Sequence, residues 1–335
     1  MRRLSHTAAF LLLVLAAGSD LLSQDPNDYI LAAHRTGVAE LIEPGTLATV
    51  ARLHFDFHVE KLFASADGWA LYVDGYGEDG CCSHYRVDLE SLKLAKVQES
   101  EERNDSQGSL ISADGRWRVE LISFRGPVLK MFDRRTGAVQ ELVPDELPLT
   151  EETRGGKCAA EGTRSGDRFY FYVACPSHPG LLWAVTPGAT QLSTALPLAP
   201  FNDEPGCRHP LPVGKVLVAA GKQLFLYEAF GSKFDRTRGC PTPLPGGAWM
   251  VDPATGSLSG QIGAGFHFNA LIPDRSGSTF YGVDPGDSAW RGPVQLVELE
   301  GQDYQVVKSR VFDPGVLQIA TGRLRQVPAG DVTVR

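Results

Sequence analysis

The chain has 335 residues and a formal net charge of −8, with 32 basic against 40 acidic side chains. That balance offers no basic stripe for a phosphate backbone or an anionic lipid surface, which excludes nucleic-acid binding and electrostatic membrane attachment. Its 36 glycines and 22 prolines suit an all-β chain with many tight turns.

The first segment reads as an export signal. Met1-Arg2-Arg3 is a basic start, and the apolar run over 8–17 is too short to span a bilayer as a helix. Small residues follow, with cleavage sites offered near Ala16 and Gly18 or between Ser23 and Gln24. The expectation is a signal peptide over 1–23 and one domain over 24–335. No later segment is apolar for long enough to anchor the mature chain, so an exported protein, periplasmic or extracellular and not inserted in a membrane, is expected.

Beyond it, 29–33, 38–42 and 47–53 read as three strands, the last two joined by the turn Glu43-Pro44-Gly45-Thr46. A turn followed by a short apolar run then recurs at intervals of about fifty residues, a period in the range of propeller blades. The turns are Ser65-Ala66-Asp67-Gly68, Ser112-Ala113-Asp114-Gly115, Arg164-Ser165-Gly166-Asp167, Ala220-Gly221-Lys222 and Pro273-Asp274-Arg275-Ser276-Gly277. A second turn type, as in Asp133-Arg134-Arg135-Thr136-Gly137 and Asp252-Pro253-Ala254-Thr255-Gly256, combines Asx-turn bonding with a glycine at positive φ. Labelling the strands of a blade a to d from the channel outward, the first type joins a to b and the second c to d.

Five blades follow, over 58–98, 108–143, 158–197, 210–262 and 267–310. The three N-terminal strands supply b, c and d of a sixth, and the run over 316–320 supplies its strand a. Closing the ring with both termini removes open sheet edges. The predicted fold is therefore an all-β propeller of six blades, with seven if the loop over 197–210 hides a divergent one.

The segments Ala32-Ala33-His34-Arg35-Thr36-Gly37-Val38, Leu41-Ile42-Glu43-Pro44-Gly45-Thr46, Ser65-Ala66-Asp67-Gly68 and Leu71-Tyr72-Val73 resemble the repeat of bacterial YVTN-type propellers. That superfamily resembles in turn the heavy chains of periplasmic amine dehydrogenases and the lactonase-like propellers. The resemblance implies a propeller in an exported protein and carries no catalytic residue across.

Six cysteines in an exported chain suit disulfides. Cys158 and Cys175 lie symmetrically about Gly166-Asp167, and Cys207 and Cys240 nearly so about Gly221-Lys222, so antiparallel pairing brings each pair together. Cys81 and Cys82 are left to pair with each other or to stay as thiols.

Meander geometry sends a–b and c–d turns to one end of the ring, and b–c and d–a loops to the other. The loop-rich end collects His54, His58, His84, His178, His209 and His267 together with all six cysteines. Rigid scaffolds commonly carry function on such loops. His54-Phe55-Asp56-Phe57-His58 sets His54, Asp56 and His58 on one side of an extended strand. Two imidazoles and a carboxylate suit a divalent metal, although i and i+2 ligands lie about 7 Å apart along a strand. The acids and glycines over 74–85 form a second, weaker candidate for calcium. The reading this supports is a binding propeller whose loop-rich end recognises a protein, peptide or glycan. The alternatives are a metal-dependent lactonase-like hydrolase, an oxidoreductase subunit, or a scaffold without a ligand.

Overall fold

The computed structural model describes residues 28–34, 36–65, 67–76, 82–97, 109–112, 114–122, 128–143, 159–175, 178–198, 215–228, 247–286, 291–300 and 303–335. Residues 1–23, expected to be a signal peptide, and 199–214, which overlap the segment where a seventh blade would sit, lie outside them. The described elements are strands, and no helix among them is long and apolar enough to cross a membrane.

The chain opens with β1 (Asp28–His34), β2 (Val38–Ile42) and β3 (Thr49–His54). Blade 1 follows with β4 (His58–Ala64), β5 (Ala70–Tyr76), β6 (Cys82–Asp88) and β7 (Lys93–Lys96). Blade 2 holds β8 (Ser109–Ile111), β9 (Trp117–Ile122), β10 (Val128–Asp133) and β11 (Val139–Leu142). Blade 3 holds β12 (Ala159–Ser165), β13 (Arg168–Cys175), β14 (His178–Val185) and β15 (Leu196–Pro197). Blade 4 holds β16 (Lys215–Ala220), β17 (Gln223–Glu228), β18 (Ala248–Val251) and β19 (Leu258–Ile262). Blade 5 holds β20 (Ala270–Pro273), β21 (Thr279–Asp284), β22 (Val294–Glu300) and β23 (Gln305–Phe312). The C-terminal β24 (Leu317–Arg323) and β25 (Val332–Thr333) return to the first three strands.

Among the described residues six sheets form, five of four strands and one of five. The propeller has six blades, placed as the turn spacing predicts. β24 pairs antiparallel with β1 in an unbroken register from Asp28↔Arg323 to His34↔Leu317, which closes the ring through blade 6. One strand escaped the sequence reading. β25 adds to the outer edge of blade 6 in parallel, Val332↔Leu53 and Thr333↔His54, because Val334 is 1% exposed and packs into the core shared with blade 1. The Leu94 N–H donates to the Arg335 carbonyl at 3.0 Å, tying the C-terminus to blade 1.

The innermost strands lie side by side, with β24 against β4 and β20, β16 against β12 and β20, and β12 against β8. Apolar side chains then fill the gaps between blades. In β1, Leu31 and Ala33 face blade 1, whereas Ile30 and Ala32 face blade 5. Alternate residues point to opposite faces of a strand, and here both faces are covered, so Ile30 to Ala33 are all fully buried. The same sandwiching joins blades 4 and 5 through Phe225, Phe268 and Phe280 and blades 3 and 4 through Tyr172, Leu182 and Leu226.

The a–b turns fold as their residues require. Asp67 Oδ1 accepts from the Ser65 hydroxyl at 2.6 Å and the Trp69 N–H at 3.1 Å, while Ser65 Oγ accepts from the Ala70 N–H at 2.9 Å. Gly68 sits at φ +78°, a conformation that favours glycine. The Asp114 turn repeats these bonds, with Trp117 N–H donating to Ser112 Oγ at 2.8 Å.

Candidate functional site

Strand order fixes two ends of the ring. At the loop-rich end, His54 closes β3 and its Nε2 lies 3.4 Å from Asp331 Oδ2. Asp56 follows in the connection to blade 1 and is exposed, and His58 opens β4, also exposed. Phe55 and Phe57 are 8% and 6% exposed, so the alternation drawn from the sequence holds although strand pairing breaks across 55–57.

Phe57 stacks on Tyr85 with ring centroids 4.2 Å apart. Gly75 leaves room for that ring, since a Cβ there would fall 2.3 Å from the Phe57 edge. His58 faces Tyr76 across the β4–β5 ladder, and Tyr76 is 41% exposed.

His84 behaves differently from its neighbours. It lies opposite Asp74 in the β5–β6 ladder, and its Nδ1 approaches Asp74 Oδ1 to 2.6 Å with both side chains buried. Asp74 is therefore committed to an imidazole, and 77–81 of the calcium candidate lie outside the described residues. The His84–Asp74 pair braces the root of the loop beneath the exposed His58 and Tyr76.

Two blades away, the backbone N–H of His267 donates to Asp284 Oδ2 at 3.1 Å and that of Gly286 to Asp284 Oδ1 at 2.8 Å. Asp284 thus holds the entry to blade 5. His34 ends β1 at the same end, half-buried against the Phe312 ring, and its burial pushes the imidazole below its ordinary value.

His178 opens β14 opposite Cys175, but its side chain and those of Cys82 and Cys175 lie outside the described residues. Cys81, Cys158, Cys207, His209 and Cys240 lie wholly outside them. The described ladder runs from Ser165↔Arg168 to Ala159↔Ala174, ending on the residues next to Cys158 and Cys175. Among the described residues no three of His, Cys, Asp and Glu are placed to hold a metal ion. The set His54, Asp56 and His58 is not gathered there, since His54 turns to Asp331 and the connection bends between the two imidazoles.

The opposite, turn-lined end holds two features that the sequence reading missed. A cavity of about 380 Å3 opens where the a–b turns of blades 1 and 5 approach blade 6, lined by Asp28, Asp67, Asp274, Tyr281 and Arg323 among others. Beside it, Glu298 of β22 is fully buried. Its carboxyl bonds to Glu300, and both of its oxygens accept from the Gly45 N–H at 3.2 Å. Burial and the Glu300 carboxyl raise Glu298 to about 7. The signal available beforehand was Glu298 inside the run Val294-Gln295-Leu296-Val297-Glu298-Leu299, a charge where the pattern demands core.

No protein-family model matches the chain, and no curated protein matches it. Solved structures do resemble it. TolB from Acinetobacter baumannii is 11% identical with a TM-score of 0.55, over 93% of this chain and 70% of that one. A chain of a nidogen/laminin complex is 15% identical with a TM-score of 0.51, over 88% and 98%. At such identities the likeness shows the fold alone, a β-propeller.

Proposed function

We propose that this protein is an exported binding propeller of the YVTN type whose loop-rich end recognises a protein, peptide or glycan. One observation carries the reading. His58 and Tyr76 stand exposed side by side on a seat fixed by the Phe57–Tyr85 stack and the buried His84–Asp74 pair. An aromatic ring and an imidazole held by a rigid base give contact area at little entropic cost, as recognition surfaces require. Asp56 and the His54–Asp331 pair extend the same rim with polar groups, and we assign His178, His209 and His267 to the same end from strand order. That a chain of similar fold was crystallised in a nidogen/laminin complex fits an architecture able to bind proteins. Export rests on the basic and apolar start of the chain, and the cysteines are assigned to disulfides that pin the loops.

The test is a selection of peptides and an array of glycans probed with the mature protein, followed by titration of any hit against the His58→Ala/Tyr76→Ala double variant. Loss of a hot-spot pair is expected to weaken binding at least about tenfold. Equal affinity of the folded double variant for every hit refutes the assignment of this end. Metal analysis of the purified protein runs alongside, and a stoichiometric transition metal would favour the hydrolase alternative instead.

A further inference from the structure

We propose that the cavity at the turn-lined end is a binding site for an organic cation, an ammonium or guanidinium group of a free amine or of a basic side chain. The proposal does not rest on the loop-end reading, which concerns the other end of the ring.

The cavity is a product of ring closure. Around this end successive a–b turns touch: the Ser165 hydroxyl donates to the Gly221 carbonyl at 2.7 Å, Gly277 lies against Gly221, and the Arg323 N–H donates to the Gly68 carbonyl at 2.7 Å. Blade 6 has Arg323 and Asp28 where other blades have a hairpin, because its strands a and b come from the two termini. The space of about 380 Å3 forms there, within the range of small-ligand sites.

Three carboxylates line it. Asp67 and Asp274 are held by their own turns, Asp274 accepting from the Thr279 N–H at 3.0 Å and the Ser276 hydroxyl at 2.6 Å. These bonds fix both carboxylates in place, and the Arg86 charge acts on Asp67 from its own blade. Asp28 is compensated by Arg323, whose Nε is 3.4 Å away and whose guanidinium lies over Trp69 at 4.7 Å. Arg275 is the second cation of the lining and is exposed at its margin.

Tyr281 gives the independent sign of a ligand. It is 1% exposed and lines the cavity, and its hydroxyl makes no hydrogen bond to another described residue. Buried polar groups are ordinarily satisfied, and this residue lines a space bounded by acids. The field there is negative. Burial raises the Tyr281 hydroxyl well above its ordinary value, and Glu298, Asp274, Glu300 and Asp28 add to the effect. A phenolic oxygen that holds its proton in such a field can still accept from a cationic N–H donor. An anion would have to enter against the same carboxylates.

Calorimetric titration of the full mature chain decides the matter. Agmatine, an Ala-Arg-Ala amide tripeptide and inorganic phosphate are the probes. Saturable binding of agmatine or the tripeptide, weakening with salt, is expected, with phosphate inert. A tighter tripeptide identifies a polypeptide side chain as the natural source, and tighter or equal agmatine a free amine. Tyr281→Phe, which keeps the ring, is expected to weaken the cation about two- to tenfold, while the His58→Ala/Tyr76→Ala variant leaves it unchanged. The proposal falls if neither cation binds at millimolar concentration, if phosphate binds better, or if folded Tyr281→Phe binds as the parent does. Should Tyr281→Phe not fold, the contrast between agmatine and phosphate in the unaltered protein decides alone.

Discussion

Glu298→Gln should make the stability of this protein less sensitive to pH. The Glu298 carboxyl is fully buried between blades 5 and 6, opposite Tyr281 and Lys308 in its sheet, with Glu300 bonded to it and the Gly45 N–H donating to it from blade 6. Burial first, then Glu300, raises it from 4.5 to about 7. Between those two values the folded protein keeps a proton that the unfolded chain has released. Stability therefore falls as pH rises through that window and is level above it. At about 1.4 kcal/mol per pH unit the loss is about 3 kcal/mol. Glutamine keeps an acceptor for Gly45 and a donor for Glu300, imitating the protonated acid. The variant should match the parent near pH 4.5 and exceed it by up to about 3 kcal/mol at pH 8. Urea denaturation of both proteins from pH 4.5 to 8 measures the difference. The difference is the right quantity, because His34, lowered by burial, contributes stability that is lost as pH falls and so has the opposite slope in both proteins. A difference that stays constant across pH 5 to 7.5 refutes the assignment.

Two further outcomes follow from the turns and the register. Gly277→Ala should destabilise the protein by about 1–3 kcal/mol, since Gly277 has φ +74° and its new Cβ would lie 2.4 Å from the Gly221 nitrogen of blade 4. A thermal melt unchanged by the substitution would show that the two turns separate freely. Peptide mapping without reduction should recover a Cys158–Cys175 link, because the ladder reaches Ala159↔Ala174 in register. Recovery of both cysteines as alkylated thiols would count against it.

Much of the ring was legible in the chain because its determinants are local. The Ser65–Gly68 turn is written in two side chains, Ser65 and Asp67, that bond within six residues, with a glycine at positive φ, and β-strands buried on both faces announce themselves as apolar runs. Closure by β24 was legible too, since three N-terminal strands lacked a partner that only the C-terminal apolar run could supply. Strand order alone put His54 at the end of β3 and His58 at the start of β4, where the structure has them.

Contacts between distant residues were not legible. β25 is two residues long, and its parallel pairing with β3 depends on a core that exists only once blades 1 and 6 meet. Asp67 and Asp274 read as turn formers, which they are, and nothing near them in the chain says that Asp28 and Tyr281 complete a cavity with them. Glu298 meets Gly45 across 253 positions of sequence. Periodicity and turn chemistry act over a few residues and so determined the blades and their number. The geometry between blades depends on which side chains the closed ring brings face to face, and only the tertiary structure decided that.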